Sequence, residues 1–197
     1  MREILGDIFT WSRLSEPHGY DFNGHLFRHA GGNLCIDPVE PDAAAAEEIE
    51  RLGVARVLLT NRNHSRAANL VRRRTGARTV IHPDDAAHAR DQGTELDDEL
   101  RPGDRIGPFA VIGVPGKSPG EVALHWPERR LLLVGDAVIG NPPGRCGLLR
   151  EAVMDDPQRL RASVRELLDT LRWGAWLPMS RIATPRAPGR KDRKSVV

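Results

Sequence analysis

VPGKSPGEVALHWPERRLLLVGDAVIG, residues 114–140, is the stretch on which the fold turns. Glu121 to Trp126 and Arg130 to Val134 read as adjacent strands, because an alternating apolar run and a continuous one flank the Pro127-Glu128 turn. Gly/Pro turns close both ends. The first turn carries Lys117, and Asp136 follows the second strand directly.

Upstream, Gly6 to Trp11, His25 to Arg28 and Asn33 to Ile36 have strand composition, with Gly31-Gly32 as a hairpin turn. Asp42 after Pro41 caps a helix that Gly53 ends. Arg56 to Leu59 is a short buried strand, and a helix from Ser65 to Thr75 follows, with Ser65 as its cap and Gly76 as its stop. Thr79 to Ile81 is a further strand, and Pro83 opens a helix to about Gln92. Pro102-Gly103-Asp104 turns the chain into the strand Phe109 to Val114. Downstream of Asp136, NPPGRCG is an irregular loop. Asp156 and Pro157 then start a helix with Leu160, Val164, Leu167, Leu168 and Leu171 at helical spacing. Trp176-Leu177-Pro178 reads as a last short strand. Alternating strands and helices make this α/β material.

The 197 residues suit one domain, 1–178, followed by a solvated basic tail, 179–197. Hydrophobic residues at 40% and charged residues at 28% exclude a disordered chain. The net charge of +2, less the +5 of the tail, leaves −3 for the rest, which is no footprint for nucleic acid. No run approaches the ~20 apolar residues of a membrane span, and MREILGDIFTW has no signal-peptide core, so a soluble cytoplasmic protein is expected. Two cysteines make no disulfide framework: Cys35 reads as core and Cys146 as loop. Trp11 and Trp126 read as core.

Five motifs in order, GNLCIDP, the strand ending Leu59-Thr60, the PGD turn, PGKSPGE and LVGDA, resemble the metallo-β-lactamase family over about Asn23 to Pro178. The resemblance implies a four-layer αββα sandwich. It also implies a metal site: H-x-H-x-D-H after the strand ending at Thr60, then a histidine, an aspartate and a late histidine. Neutral imidazoles and carboxylates there bind zinc or iron, and an open coordination position activates water. This chain has Asn61, Asn63, Ser65 and Arg66 in the first motif, with His64 on a spacer position. Lys117 replaces the next histidine, Asp136 is kept, and Ser180 or a neighbour stands at the late position.

An ammonium cannot ligate a metal, though it can stand in for a cation. Lys117, with Arg66, is therefore expected to pair with Asp136, since a buried carboxylate without a counter-charge is costly; the plainer alternative points Lys117 at solvent. His18, His25, His29, His82, His88 and His125 have spacings that form no compact ligand set. Cys146, Ser65, Ser118 and Lys117 lack the neighbours of an activated nucleophile. Two readings follow. In the first, a metal-free binding or regulatory protein holds an unidentified small polar or anionic ligand among Asn61, Asn63, His64, Arg66, Lys117 and Asp136. In the second, a divergent hydrolase of ester, thioester or phosphoester bonds keeps zinc, iron or manganese at Asp136 and His64, or uses His64 as a general base. An uncovered sheet edge near the C-terminus would favour a homo-oligomer.

Overall fold

The computed structural model describes residues 1–140 and 145–171. Trp173, the strand expected at 176–178, Ser180 and the tail lie outside the described residues, as do positions 141–144 of the NPPGRCG loop. Strands β1 (Arg2–Leu5), β2 (Ile8–Ser15), β3 (Tyr20–Phe27) and β4 (Leu34–Ile36) run antiparallel, each beside the next. Parallel strands β5 (Arg56–Leu59), β6 (Arg78–Ile81) and β7 (Asp98–Glu99) complete a seven-stranded sheet in chain order. The parallel connections β4 to β5, β5 to β6 and β6 to β7 cross over through α1 (Ala43–Leu52), α2 (Ala68–Thr75) and α3 (Pro83–Asp91) respectively. A second, antiparallel sheet comprises β8 (Arg105–Ile106), β9 (Phe109–Gly113), β10 (Val122–Trp126) and β11 (Leu131–Leu133), in the order β11-β10-β9-β8. Helix α4 (Pro157–Thr170) follows.

Strand alternation explains the layers. Leu26, Cys35, Val57 and Leu59 pack outward against Ile49, Val71 and Ala89 of the first three helices. Their chain neighbours Phe27, Leu34, Ile36 and Leu58 point the other way, onto Phe109, Val111, Val122 and Leu124 of the second sheet. Ala123, Leu132 and Val134 on the far side of that sheet meet Leu160 and Leu167 of α4. Helices, sheet, sheet, helix: the expected αββα sandwich. Strands covered on both faces must be apolar at every position, which is why LLLV reads as a continuous run. No helix among the described residues is long and apolar enough to cross a membrane.

The caps act as expected. Asp42 accepts from the Ala45 amide at 2.7 Å and Asp156 from that of Arg159 at 2.8 Å, while Pro83 opens α3. Three local expectations change. Helix α2 starts three residues late with no side-chain cap, and the Ser65 hydroxyl donates to Gln92 instead. The β2–β3 ladder runs from Ile8↔Phe27 to Ser15↔Tyr20, well past the expected strands, because its exposed end is polar enough to read as loop. Leu168 faces outward on α4, 48% exposed.

Candidate functional site

The two sheets meet where β4 and β5 end and β10 begins, and the Val122 amide donates to the Thr60 carbonyl at 2.9 Å. Three chain segments deliver side chains there: residues after β4, the loop after β5, and the turns flanking β10 and β11. Asp37 leaves β4 with φ of +48°, a left-handed conformation that is uncommon outside glycine and costs about 1 kcal/mol. Its carboxylate is held by the Thr60 amide at 2.8 Å and the Thr60 hydroxyl at 2.6 Å.

His64 sits at the centre, buried. Its Nδ1 is 2.9 Å from Asp37 Oδ2 and its Nε2 is 3.3 Å from Asp136 Oδ1. An imidazole can donate from both nitrogens only when it carries both protons. Burial works against that charge, but the two carboxylates outweigh it and lift His64 to about 10. Burial likewise opposes an ionised Asp136; His64, Lys117 and Arg66 overcome it and hold the carboxyl well below its ordinary range.

Lys117 is buried rather than turned to solvent. Its ammonium donates to Asn63 Oδ1 and lies 3.7 Å from Asp136 Oδ2, the ion pair expected of it. Arg66 makes no such pair. Its guanidinium lies over the Phe22 ring, 3.9 Å from the centroid. Asn61 is fully buried, and its amide is engaged within the turn, accepting from Asn63 N at 2.9 Å and donating to Glu121 Oε1 at 3.3 Å. Of the six residues singled out from sequence, His64, Lys117, Asp136 and Asn63 form one linked group. Asn61 supports it from inside, and Arg66 stands apart on Phe22.

Asp37, Thr60, Asp85 and Glu121 were not anticipated. Asp37 was in view within GNLCIDP, where a carboxylate between an apolar strand and a proline was the available signal. Asp85, fully buried at the start of α3, accepts from Arg62 N at 2.9 Å, Ser118 Oγ at 2.6 Å and Gly120 N at 3.1 Å. It thereby ties the Asn61–Asn63 loop to the Lys117 loop. Glu121 Oε1 accepts from the Asp136 amide at 2.7 Å, whereas Oε2 is buried with no hydrogen-bond partner. Gly135 precedes Asp136 because an added Cβ would sit 2.8 Å from Thr60 Oγ1 and 2.9 Å from Glu121 Oε1.

Glu121 is pushed up to about 8, by burial first and by the Asp136 charge second, against the pull of His64 and Lys117. The folded chain therefore holds this proton more tightly than the unfolded one, and stability falls as pH rises from about 4.5 to about 8. Glu121→Gln keeps the shape and has no proton to lose. It is expected to flatten that decline and to exceed the native chain by about 2 kcal/mol at pH 9. Urea midpoints at pH 5, 7 and 9 measure this, and an undiminished slope in the variant would assign the decline to another group.

Zinc or iron needs imidazole, carboxylate or thiolate lone pairs aimed at one point. Here both His64 nitrogens face carboxylates, Lys117 has no lone pair as an ammonium, and Asn61 is turned into its own loop. Among the described residues, no three His, Cys, Asp or Glu side chains are arranged to hold a metal ion. These residues do not fit the family's metal.

The metallo-beta-lactamase superfamily profile matches residues 3–173. A hydroxyacylglutathione hydrolase of Anaeromyxobacter dehalogenans (strain 2CP-C) is 32% identical over 151 residues, covering 74% of this chain and 55% of the relative. Another, of Hyphomonas neptunium (strain ATCC 15444), is 28% identical over 161 residues, covering 77% and 58%. The chain thus spans about half the length of the curated relatives it matches. Among solved structures, TTHA1623 in a di-iron-bound form is 25% identical, with a TM-score of 0.64 over 79% of this chain and 85% of that one. The DIM-1 metallo-β-lactamase exposed to ceftazidime shares the fold at a TM-score of 0.74, 14% identity, and 91% and 88% coverage. A profile that spans nearly the whole chain, over an αββα sandwich with the motifs in order, leaves one assignment: the chain belongs to the metallo-β-lactamase superfamily.

Proposed function

We propose that this chain is a metal-free binding or regulatory member of its superfamily, using the cleft around His64, Lys117, Asn63, Arg66 and Asp136 for a small polar or anionic ligand. One observation carries the reading: His64 is clasped between Asp37 and Asp136, with Lys117 on the free side of Asp136. Two carboxylates that would attract a metal ion are already matched by an imidazolium and an ammonium. Asn63 and Arg66, the exposed members of the group, offer amide and guanidinium N–H donors, which suits an anion or a carbonyl-rich ligand.

The names of the relatives favour a second reading, a divergent hydrolase of ester, thioester or phosphoester bonds with zinc, iron or manganese at Asp136 and His64. Elemental mass spectrometry of the purified protein, dialysed without chelator, separates the two. The expected result is less than about 0.1 equivalent of each metal, with the same melting temperature in EDTA, because nothing that binds only the folded state is then being removed. About one equivalent of zinc, iron or manganese, lost on Asp136→Ala, would overturn the metal-free reading and revive the hydrolase one.

A further inference from the structure

We infer that Asp85 is the positioning residue of the cleft: it holds Asn63 and Lys117 together through their chain neighbours, and so turns the Asn63 amide N–H groups outward as the donor that meets the ligand. This rests on the binding role proposed for the cleft and names what fixes its geometry. Asp85 Oδ2 accepts from the Arg62 amide at 2.9 Å and from the Ser118 hydroxyl at 2.6 Å. Arg62 directly precedes Asn63, and Ser118 directly follows Lys117. One oxygen atom therefore joins the two loops at the positions next to the pair. Oδ1 accepts from the Gly120 amide at 3.1 Å, which fixes the rotation of the carboxylate.

Burial makes this join stiff. Asp85 is fully buried, and these three donors are its hydrogen-bond partners among the described residues. Separating the loops would strand a buried carboxylate oxygen, which costs far more than breaking a contact in water. A second tie between the loops runs over the surface. The Arg62 guanidinium reaches Asp155 at 2.6 and 2.7 Å, and the Asp155 amide donates to the Lys117 carbonyl at 3.3 Å. Those two side chains are 21% and 42% exposed, so water and salt screen that pair and Asp85 carries the constraint. The loop also lies tight against the start of α3. An added Cβ on Gly120 would sit 2.9 Å from Asp85 Cγ and 2.9 Å from His82 Cβ.

The effect on the pair follows from its chemistry. The Lys117 ammonium donates to Asn63 Oδ1. An ammonium only donates, so the Asn63 oxygen faces it and Nδ2 points away. Asn63 is exposed, and its Nδ2 has no partner among the described residues. Lys117, by contrast, is 7% exposed.

Lysine accessibility tests this with neither ligand nor metal. The full chain is reductively methylated with formaldehyde and cyanoborohydride in EDTA, and mass spectrometry follows the peptide carrying Lys117. The other lysines, Lys191 and Lys194, fall in separate peptides. Asp85→Ala is expected to raise the Lys117 rate about tenfold and Ser118→Ala about threefold, as losses of buried hydrogen bonds to a charged group do. Asp85→Asn keeps one oxygen for the Arg62 and Ser118 donors and should restore most of the protection. Ile49→Ala truncates the core at α1 and is compared equally far below its melting temperature; it should leave the native rate unchanged. A rise in Ile49→Ala equal to that in Asp85→Ala would assign the exposure to general loosening and overturn the inference. So would native protection retained in both Asp85→Ala and Ser118→Ala. If Asp85→Ala does not fold, Ser118→Ala against Ile49→Ala decides in the same way. Failure here leaves the metal-free reading standing, since that reading is decided by the metal content.

Discussion

His64→Ala is expected to destabilise the fold by about 3–5 kcal/mol at pH 7, the usual cost of removing one partner from a buried charge pair. Asp37 and Asp136 would be left facing each other across the vacated ring, with Lys117 and Arg66 as the remaining cations nearby. For a chain of this size that loss corresponds to about 10 °C in melting temperature. Urea denaturation would measure it, and a loss below about 1 kcal/mol would mean that water, not His64, solvates the carboxylates. The pH dependence gives the loss a signature. Folding raises the His64 pKa from 6.5 to about 10, so its contribution is complete below about 6.5 and disappears as pH climbs through 10. Glu121 is only half ionised at about pH 8, so its titration overlaps the lower part of this range. In the Glu121→Gln background the chain should lose stability from about 8 to 10, and adding His64→Ala should abolish that loss.

Gly116→Ala is expected to cost more than about 3 kcal/mol and to displace Lys117. Gly116 has φ of +139°, and an added Cβ would lie 2.3 Å from the Leu160 nitrogen and 2.4 Å from its Cα, both backbone atoms of α4. A flexible side chain could swing away; a helix backbone must move as a body. It is also tied to this loop, with the Asp156 amide donating to the Gly116 carbonyl at 2.8 Å and the Ser163 hydroxyl to that of Pro115 at 2.8 Å. Gly93→Ala is the control: φ is +84° with nothing within 4 Å of the added Cβ, so only backbone strain of about 1 kcal/mol applies. Thermal melts of the two variants should differ severalfold in their shift. Equal shifts would mean that α4 yields easily and does not brace the site.

Local chemistry was legible where a residue acts on its chain neighbours. Asp42, Gly53, Gly76, Pro83 and Asp156 could be read because a cap or a stop acts within a turn of its own position. Ser65 misled for the converse reason: its hydroxyl is drawn to Gln92, 27 positions away, and the helix begins without it. The far half of the β2–β3 hairpin was missed because cross-strand pairing, not apolar pattern, holds Ser12 to Ser15 extended.

By itself, the sequence determined the alternating α/β order and, through its resemblance to the family, the αββα class. The first follows from residue type and order: alternating or continuous apolar runs between capped helices. Only the tertiary structure decided how the polar residues at the strand ends meet. Asp37, His64, Glu121 and Asp136 are separated by tens of residues, and each sits at a strand end or in a loop whose direction is set by how the two sheets stack. His64 lay on a spacer position, and its role depends on where its ring nitrogens point. Asp37 at one and Asp136 at the other, at 2.9 and 3.3 Å, make it the cation of the site.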